Sequence, residues 1–405
     1  MSAPSIVVLV VDRLGAGWLG PYGNSWVDTP AFNRLASQSL LFDCAMVASP
    51  CLEATYDAYW YGRHPLQGPV DTKAAKTLME YARSLDFKTT LITDSPQVEE
   101  LYAAGDFDET LTVADDAPRE LAEDLAATRL AQTMALAIDS IQSQTTASVT
   151  WVHAGGLNDA WDMPAAIMQR LVDEEDPVPP SMLSPPNQRL TEAFDPDLLL
   201  GMTQNYAGQV MGCDLLLDVL LEVVESRPDT VFLCTSTRGY PLGEHLRVGE
   251  CDNALFGELL HVPMMIRMPD LADAARRSRC FVQPHDVFTT LLGALGVSVS
   301  ERTAGVRDLR RVGAEDEATR VQMCAAAGDQ YAIRTPAWYL RVSEDEGHML
   351  YAKPDDFWEA NEVASRCGEV VQMLEQAYAE WVAAANAGHG EHRADLPDVL
   401  LHGLD

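Results

Sequence analysis

The sequence predicts an α/β protein built on a central, mostly parallel β-sheet. Its first apolar stretch, residues 6–11 (IVVLVV), is mostly β-branched and ends at Asp12 without polar interruption. Such runs are typical of strands that are buried on both faces of a parallel sheet. Similar strand-like runs follow at 89–93, 148–153, 230–236 and 262–267. Helical stretches separate these strands, and that alternation is typical of strand–helix–strand units.

Helical periodicity and turn residues divide the rest of the chain. Helices are predicted over 31–39, 55–61, 117–143, 198–224, 286–295 and 361–385. The proline-rich stretch up to residue 195 predicts a surface excursion. Short strand patterns at 331–334 and 338–341 indicate a change of architecture. We therefore predict an α/β domain over 1–330, a small C-terminal subdomain over 331–390 and a tail over 391–405.

The composition describes a strongly acidic chain. Its 405 residues are 47% hydrophobic and carry 28 Lys+Arg against 61 Asp+Glu, a formal net charge of -33. Such a surface repels nucleic acid and anionic lipid, so neither is expected as a partner. No secretory signal or apolar run of about 18 residues is visible, and no membrane association is expected. The eight scattered cysteines contain no C-x-x-C pair, which favours reduced thiols and a cytoplasmic location.

Eight short motifs occur in an order that resembles the sulfatase branch of the alkaline phosphatase superfamily. They are residues 10–15 (VVDRLG), 29–36 (TPAFNRLA), 62–65 (GRHP), 206–214, 234–245, 261–267, 283–297 and 332–335. One such motif carries little weight, but eight in the shared order identify the chain as a member of this branch. The resemblance implies an alkaline-phosphatase/sulfatase-like α/β fold with a small C-terminal α+β subdomain.

The resemblance also implies a metal-dependent ester hydrolase site. In the family, a calcium or similar ion is held by two aspartates after the first strand and by an Asp-Asn or Asp-His pair after a later one. The nucleophile is a formylglycine made from cysteine, or a serine, in a Cys-x-Pro-Ser-Arg motif. A hard dication prefers carboxylate and carbonyl oxygens, and a transferring sulfuryl group needs positive charge around it.

The ligand positions of the cation are largely replaced in this chain. Asp12 keeps the first aspartate, but Arg13 stands at the second, and Thr237 and Arg238 stand at the later pair. Guanidinium groups have no lone pair for a metal and repel a cation. We therefore expect a vestigial metal site, no cofactor, and Asp12 and Thr237 as remnants of the ligand set.

The nucleophile segment departs from the family in the same way. Residues 51–56 read CLEATY and lack the proline and the arginine. Counting back from Gly62 puts Leu52 at the expected cysteine position, and Cys51 reaches it with a one-residue gap. We interpret Cys51 as a small buried apolar side chain, because no neighbouring arginine lowers the pKa of its thiol. Thr55 would need a metal or a base to act as a nucleophile.

Three further positions match family motifs without keeping their chemistry. Asn158 replaces a family histidine, and we interpret His153 as a core histidine at a strand end. His245 follows a ligand motif but has lost the neighbouring ligands, so a structural role is favoured. The strand-end loop after Thr93 offers Asp94 where the family often has basic residues.

A charge cluster is predicted around Asp12. Neighbouring parallel strands end at the same sheet edge, which brings Asp12, Arg13 and Arg238 together. A buried carboxylate needs a partner, so Asp12 is predicted to accept hydrogen bonds from one or both arginines, chiefly Arg238. The alternative is that both arginines are surface residues left by drift. Both are candidates for binding an anion.

The preferred functional prediction is a pseudo-sulfatase that has lost metal-dependent ester hydrolysis. It would bind a small anion or a protein partner that the sequence does not identify. One alternative is an active sulfatase or phosphodiesterase-type hydrolase with non-standard site residues. Another is a metal-free anion-binding protein that uses Arg13 and Arg238.

Overall fold

The computed structural model describes residues 4–114, 120–249, 254–297, 307–312, 320–387 and 396–404. The β-strands among these residues are β1 Ser5–Val11, β2 Leu40–Ala45, β3 Lys88–Thr93, β4 Glu109–Thr112, β5 Ser148–Ala154, β6 Gln188–Arg189, β7 Thr230–Thr235, β8 Arg247–Val248, β9 Met264–Arg267, β10 Arg276–Val282, β11 Met323–Ala327, β12 Gln330–Arg334, β13 Trp338–Ser343 and β14 Gly347–Ala352. The α-helices are α1 Pro30–Ser37, α2 Leu52–Tyr61, α3 Leu78–Arg83, α4 Pro96–Glu99, α5 Arg129–Ser143, α6 Ala165–Met168, α7 Pro196–Glu225, α8 Gly257–Leu260, α9 Pro284–Ala294, α10 Gly368–Asn386 and α11 Asp398–His402.

The chain divides into two compact units whose segments interleave along the sequence. The first unit comprises residues 1–41, 79–251 and 262–277. The second comprises residues 42–78, 252–261 and 278–405. The predicted domain limits at residues 330 and 390 rest on sequence pattern and stay predictions.

A mixed but mostly parallel sheet forms the centre of the first unit. Within the first unit the neighbouring strands follow the order β2-β9-β7-β1-β5-β3-β4, and β2 belongs to this unit through Leu40 and Leu41. Strand β1 lies between β5 and β7 and is parallel to both, and β3 is parallel to β5 and β4. Strand β9 is antiparallel to β7, and the first residues of β2 pair antiparallel with β9. The predicted α/β fold class is therefore confirmed.

Helices α1, α5 and α7 cover this sheet with one continuous apolar core. Side chains of β1, β5 and β7 pack with those of α7, including Tyr206, Val210 and Leu217. The carboxylate of Asp214 on α7 accepts hydrogen bonds from the backbone amides of Ala31 and Phe32 at 3.1 and 2.9 Å. These amides belong to the first turn of α1, where the helix itself supplies no acceptors. Asp214 therefore fixes α1 on α7.

The second unit contains a four-stranded antiparallel sheet in the order β11-β12-β13-β14. Ile333 and Leu340 of this sheet pack against Leu374 of α10 and Leu400 of α11. In the same unit Gly62 caps the C-terminus of α2, and its φ of 67° favours glycine. A Cβ atom at Gly62 would also come within 2.5 Å of the Phe288 ring of α9, so the close approach of these helices requires glycine.

Two predicted helices begin later than their sequence patterns suggest. Residues 117–119 of the predicted 117–143 helix lie outside the described residues, and α5 begins at Arg129 because the Thr128 hydroxyl caps it through the amide of Ala131. The last long helix begins at Gly368 and not at Asn361. The Asp356 carboxylate accepts a hydrogen bond from the backbone amide of Asn361, and this contact holds the preceding residues in a loop. Within the described ranges, no helix combines the length and apolarity that a bilayer span requires.

Candidate functional site

The end of β1 places Asp12 at the edge of the first unit's sheet where β1, β5 and β7 all end. Every residue from Ile6 to Val11 is buried, as expected for a central parallel strand. The backbone amide of Asp12 donates to the carbonyl oxygen of Ala154 at 2.9 Å, so pairing with β5 continues up to Asp12. The carboxylate that follows is only 1% exposed. A charge at this depth requires partners.

Those partners come from the segment that follows β7. Arg238 donates from Nε to Oδ1 and from Nη2 to Oδ2 of Asp12, both at 3.2 Å. The Thr237 hydroxyl donates to Oδ1. The Ser236 hydroxyl fixes both segments, because it accepts from the Leu14 amide at 3.2 Å and donates to the Arg238 carbonyl at 2.7 Å. The predicted hydrogen bonds between Asp12 and Arg238 are therefore present. We call Asp12, Thr237 and Arg238 the Asp12 cluster.

The electrostatics of the cluster favour an ionised Asp12 and a neutral His153. Burial by itself raises the pKa of Asp12, but Arg238, followed by Arg13, His153 and the Thr237 hydroxyl, lowers that pKa below its usual value. His153 at the end of β5 is completely buried. Burial lowers the pKa of His153 to about 4, since the opposing attraction of Asp12 is weaker. At neutral pH the Asp12 cluster is therefore a carboxylate–guanidinium pair with a neutral His153 imidazole near it.

Arg13 has hydrogen-bond partners outside the Asp12 cluster. Its Nε donates to Oδ1 of Asn158 at 3.0 Å, and its backbone carbonyl accepts from the Tyr206 hydroxyl at 2.6 Å. Its φ is 67°, a region in which arginine is strained and aspartate is better tolerated. The sequence predicted Arg13 beside Asp12 but did not identify Asn158 or Tyr206 as partners of Arg13. No short motif links these three residues, which come from separate segments.

A second buried carboxylate, Asp94, lies at the end of β3. Its Oδ1 accepts from the Gly155 amide at 2.6 Å and its Oδ2 from the Thr133 hydroxyl at 3.0 Å. Arg129 donates to the backbone carbonyl of Asp94 at 2.6 Å. Burial raises the pKa of Asp94, and the hydrogen bonds and Arg129 lower it by less. The resulting pKa is about 6. Its position after a strand was visible in the sequence, but its partners on α5 and after β5 were not.

The sequence profile of the sulfatase family matches residues 4–297. The chain belongs to the sulfatase family. Curated relatives match only short segments: arylsulfatase H of Canis lupus familiaris is 38% identical over 66 residues, 16% of this chain and 12% of the relative. Human N-acetylgalactosamine-6-sulfatase is 31% identical over 98 residues, 24% of this chain and 18% of the relative. The matched segments thus span less than a fifth of these sulfatases.

Solved structures of the superfamily share the whole fold. The phosphonate monoester hydrolase of Agrobacterium radiobacter superposes with a TM-score of 0.76 at 15% identity, covering 96% of this chain and 97% of the hydrolase. BT4656, solved in complex with its substrate D-glucosamine-2-N,6-O-disulfate, gives 0.77 at 14% identity and covers 95% and 99% of the two chains. The family resemblance carried by the sequence motifs is confirmed. Similarity at this level of identity shows a common fold and does not transfer a substrate.

The Asp12 cluster does not fit the divalent cation that the sulfatase family implies. Both carboxylate oxygens of Asp12 are engaged by Arg238, and the positions that the resemblance assigns to the other ligands carry Arg13, Thr237 and Arg238. A calcium ion would need several oxygen ligands where a guanidinium now lies. Within the described ranges no group of three or more His, Cys, Asp or Glu side chains has an arrangement suited to a metal. The side chains of the Asp12 cluster therefore support no chemical step through such an ion.

The nucleophile segment belongs to the second unit. Cys51 is exposed, so the interpretation of a buried apolar cysteine was wrong. Cys51 is the N-cap residue of α2, and Leu52 and Thr55 lie on the buried face of the helix that follows. The Thr55 hydroxyl donates to the carbonyls of Cys51 and Ser49 at 3.0 and 3.2 Å, and the first of these is the contact with the carbonyl four residues earlier that threonine makes inside helices.

Charge along α2 is negative. Burial, and then Glu53, raises the pKa of Asp57 to about 6, despite the opposing effect of Arg63. A sulfate or phosphate ester would be repelled by such a helix face.

In the first unit, His245 lies in a tight turn with φ of 51°, and its carbonyl accepts from Arg247 at 2.9 Å. These contacts agree with a structural role for His245. The roles predicted for all of these positions stay predictions.

Proposed function

We propose that this sulfatase-family protein does not hydrolyse esters by the metal-dependent route of its family and instead acts as a binding protein. The observation that carries the proposal is the bidentate contact of Arg238 with Asp12. In that arrangement a protein side chain supplies the positive charge that the family obtains from a metal ion. The charge is compensated internally, so the fold does not require the ion.

The remaining features support the same proposal. The segment 51–56 lacks the arginine that the family places beside its nucleophile, and the Thr55 hydroxyl is committed to two carbonyls. The formal net charge of -33 opposes the approach of a sulfate or phosphate ester. Because the cysteines are scattered, the proposal places the protein in a reducing compartment, the cytoplasm.

The proposal is tested by turnover of 4-nitrophenyl sulfate, 4-nitrophenyl phosphate and an aryl phosphonate monoester by the dialysed full chain. Each ester is assayed with and without added Ca²⁺, Mg²⁺ or Mn²⁺, and metal content is measured by elemental analysis. We expect rates equal to the buffer blank. Turnover that a metal increases and that the Asp12→Asn variant loses would overturn the proposal.

A specific observation favours the active hydrolase as the second candidate. Cys51 is exposed at the first turn of α2, near the position of the family nucleophile. This candidate predicts turnover that Cys51→Ala abolishes, while Cys367→Ala, at another cysteine that is not fully buried, leaves it unchanged. Absence of turnover in all three proteins would exclude it for the esters tested.

The anion-binding role predicted for Arg13 and Arg238 is tested by thermal unfolding in sodium sulfate and sodium phosphate, with sodium chloride of equal ionic strength as control. Both guanidiniums are almost completely buried and hydrogen-bonded, so we expect no specific stabilisation. Stabilisation by sulfate that Arg13→Met loses would establish the anion-binding alternative.

A further inference from the structure

The loop after β14 exposes two aromatic side chains on the second unit. Phe357 is 52% and Trp358 is 65% exposed. Their ring centroids lie 4.9 Å apart with an interplanar angle of 88°, an edge-to-face arrangement. Folded proteins generally bury rings of this size, so an exposed aromatic pair indicates an interaction site. We call residues 353–362 the aromatic loop.

A buried ion pair between Lys353 and Glu359 holds the aromatic loop in one conformation. The Lys353 ammonium group donates to the carbonyls of Asp356 and Phe357 at 2.7 and 3.1 Å and to the Glu359 carboxylate at 3.1 Å. Both side chains of this ion pair are more than nine-tenths buried. The other Glu359 oxygen accepts from the Gly257 amide at 3.1 Å. The backbone that carries both rings is therefore fixed before any partner arrives.

A second set of hydrogen bonds closes the loop. The two oxygens of the Asp356 carboxylate accept from the amides of Ala360 and Asn361, each at 2.9 Å. A preformed loop loses little conformational entropy on binding, which favours recognition by rigid aromatic anchors.

The charge around the rings is negative. The aromatic loop contains Asp355, Asp356, Glu359 and Glu362 against a single basic residue, Lys353. Lys353 is paired with Glu359, so Asp355, Asp356 and Glu362 leave the loop with a negative formal charge. Arg366, a few residues further on, is the next basic residue. Aromatic faces beside carboxylates attract cations, above all a guanidinium group.

We propose that the aromatic loop docks a basic peptide segment of a partner protein, with an arginine or lysine side chain stacked on Trp358 and Phe357 and paired with Asp355. The whole chain, with its net charge of -33, would steer such a segment towards it. The partner must be positively charged. A second copy of this chain, an anionic membrane and a nucleic acid are all negatively charged. This proposal is independent of the one on hydrolysis, because it uses no residue of the Asp12 cluster.

The probe is a fluorescein-labelled twelve-residue peptide of alternating arginine and glycine, with a citrulline–glycine peptide of the same length as the uncharged control. Binding to the full chain is measured by fluorescence anisotropy at about 0.05 M and about 0.15 M salt. We expect the arginine peptide to bind and the citrulline peptide to bind at least about tenfold more weakly.

The deciding variant is Phe357→Ala with Trp358→Ala, for which we expect about tenfold weaker binding. Tyr102→Ala is the matched control, because Tyr102 is 69% exposed and is also flanked by acidic residues, Glu99, Glu100 and Asp106. We expect Tyr102→Ala to bind as the unaltered protein does. Trp358→Leu keeps an apolar side chain without an aromatic face and should lose most of the affinity. Exposed rings contribute little to folding, so thermal unfolding should be unchanged in all variants.

Three results would overturn the proposal. Equal affinity of the double variant and the unaltered protein would show that the peptide responds only to net charge. Full affinity of Trp358→Leu would show that no cation–π contact forms. Self-association in sedimentation velocity, or flotation with phosphatidylcholine vesicles, that the double variant loses would assign the rings to a second copy or to a lipid surface.

Discussion

Asp12 and Asp94 are two buried aspartates at strand ends of the same sheet, and their surroundings shift their pKa values in opposite directions. The Arg238 guanidinium contacts both carboxylate oxygens of Asp12, and the pKa of Asp12 lies below its usual value. The carboxylate of Asp94 accepts from an amide and a hydroxyl, and its pKa rises to about 6. Equal burial thus has opposite results, depending on whether a cation contacts the carboxylate oxygens.

Under the proposal that Arg238 takes the place of the family's cation, Asp94 shows what a buried carboxylate does without such a partner. A carboxylate inherited from a cation site would resemble Asp94 if its cation were removed and nothing replaced it. Arg238 prevents that outcome, because it brings a permanent charge and a planar pair of donors. The following variants test this difference, from the largest expected effect to the smallest.

Replacing Asp12 by alanine should have the largest effect on stability. The Arg238 guanidinium would remain buried without its carboxylate, and the free energy of unfolding should fall by roughly 3–5 kcal/mol. Urea unfolding followed by circular dichroism measures the change. Asp12→Asn, which keeps one acceptor oxygen for Arg238, should lose less. A loss below about 1 kcal/mol for Asp12→Ala would mean that the pair does not hold this edge of the sheet.

Asp94 should make stability fall as the pH rises. Its folded-state pKa of about 6 exceeds the ordinary aspartate value of 3.8, so its contribution is fully present below pH 3.8 and is lost as the pH rises through 6. The shift corresponds to roughly 3 kcal/mol. We expect the difference in unfolding free energy between the unaltered protein and Asp94→Asn to change by about this amount between pH 4 and pH 7.5.

Asp12 provides the contrast for that pH titration. Because its pKa is lowered, its stabilising contribution is complete above pH 3.8 and decreases only as the pH falls below that value. The difference between the unaltered protein and Asp12→Asn should therefore stay constant from pH 4.5 to pH 7.5. A difference that changes in this range in the same direction as that of Asp94 would contradict the assigned ion pair.

Replacing Asn158 by alanine should have a smaller effect. It removes the acceptor of Arg13 Nε and should destabilise the fold by about 1.5–3 kcal/mol, the usual cost of losing a hydrogen bond to a charged group. Asn158→Asp keeps the acceptor and serves as the control. A loss as large as that of Asp12→Ala would mean that Arg13, and not Arg238, is the principal cation of this edge.

Calcium should have almost no effect on the unaltered protein, with a change in melting temperature below about 1 °C at millimolar calcium. The triple variant Arg13→Asp, Thr237→Asp, Arg238→Asn restores the family's ligand types, and aspartate tolerates the positive φ at position 13. We expect calcium to stabilise this variant. Strong calcium stabilisation of the unaltered protein would contradict the replacement of the cation by Arg238.

The sequence by itself determined the fold class and the family. Uninterrupted β-branched runs identified the central strands, and the order of eight motifs identified the sulfatase family. Both signals can be read along the chain without knowledge of which segments meet in space. Charge signs are also local, so Arg13 and Arg238 could be recognised in the sequence as candidate partners of Asp12. The pairing of Asp12 with Arg238 followed from the rule that parallel strands end at one edge.

Only the tertiary structure decided which partner each side chain takes. The contacts of Arg13 with Asn158, of Asp94 with Gly155 and Thr133, and of Lys353 with Glu359 depend on distances between segments. No periodicity encodes these distances. The exposure of Cys51 was predicted wrongly for the same reason, since hydrophobicity gives the average burial of a residue type and not its position beside a helix start. Burial and contact decide pKa and reactivity, and both arise only when the chain has folded.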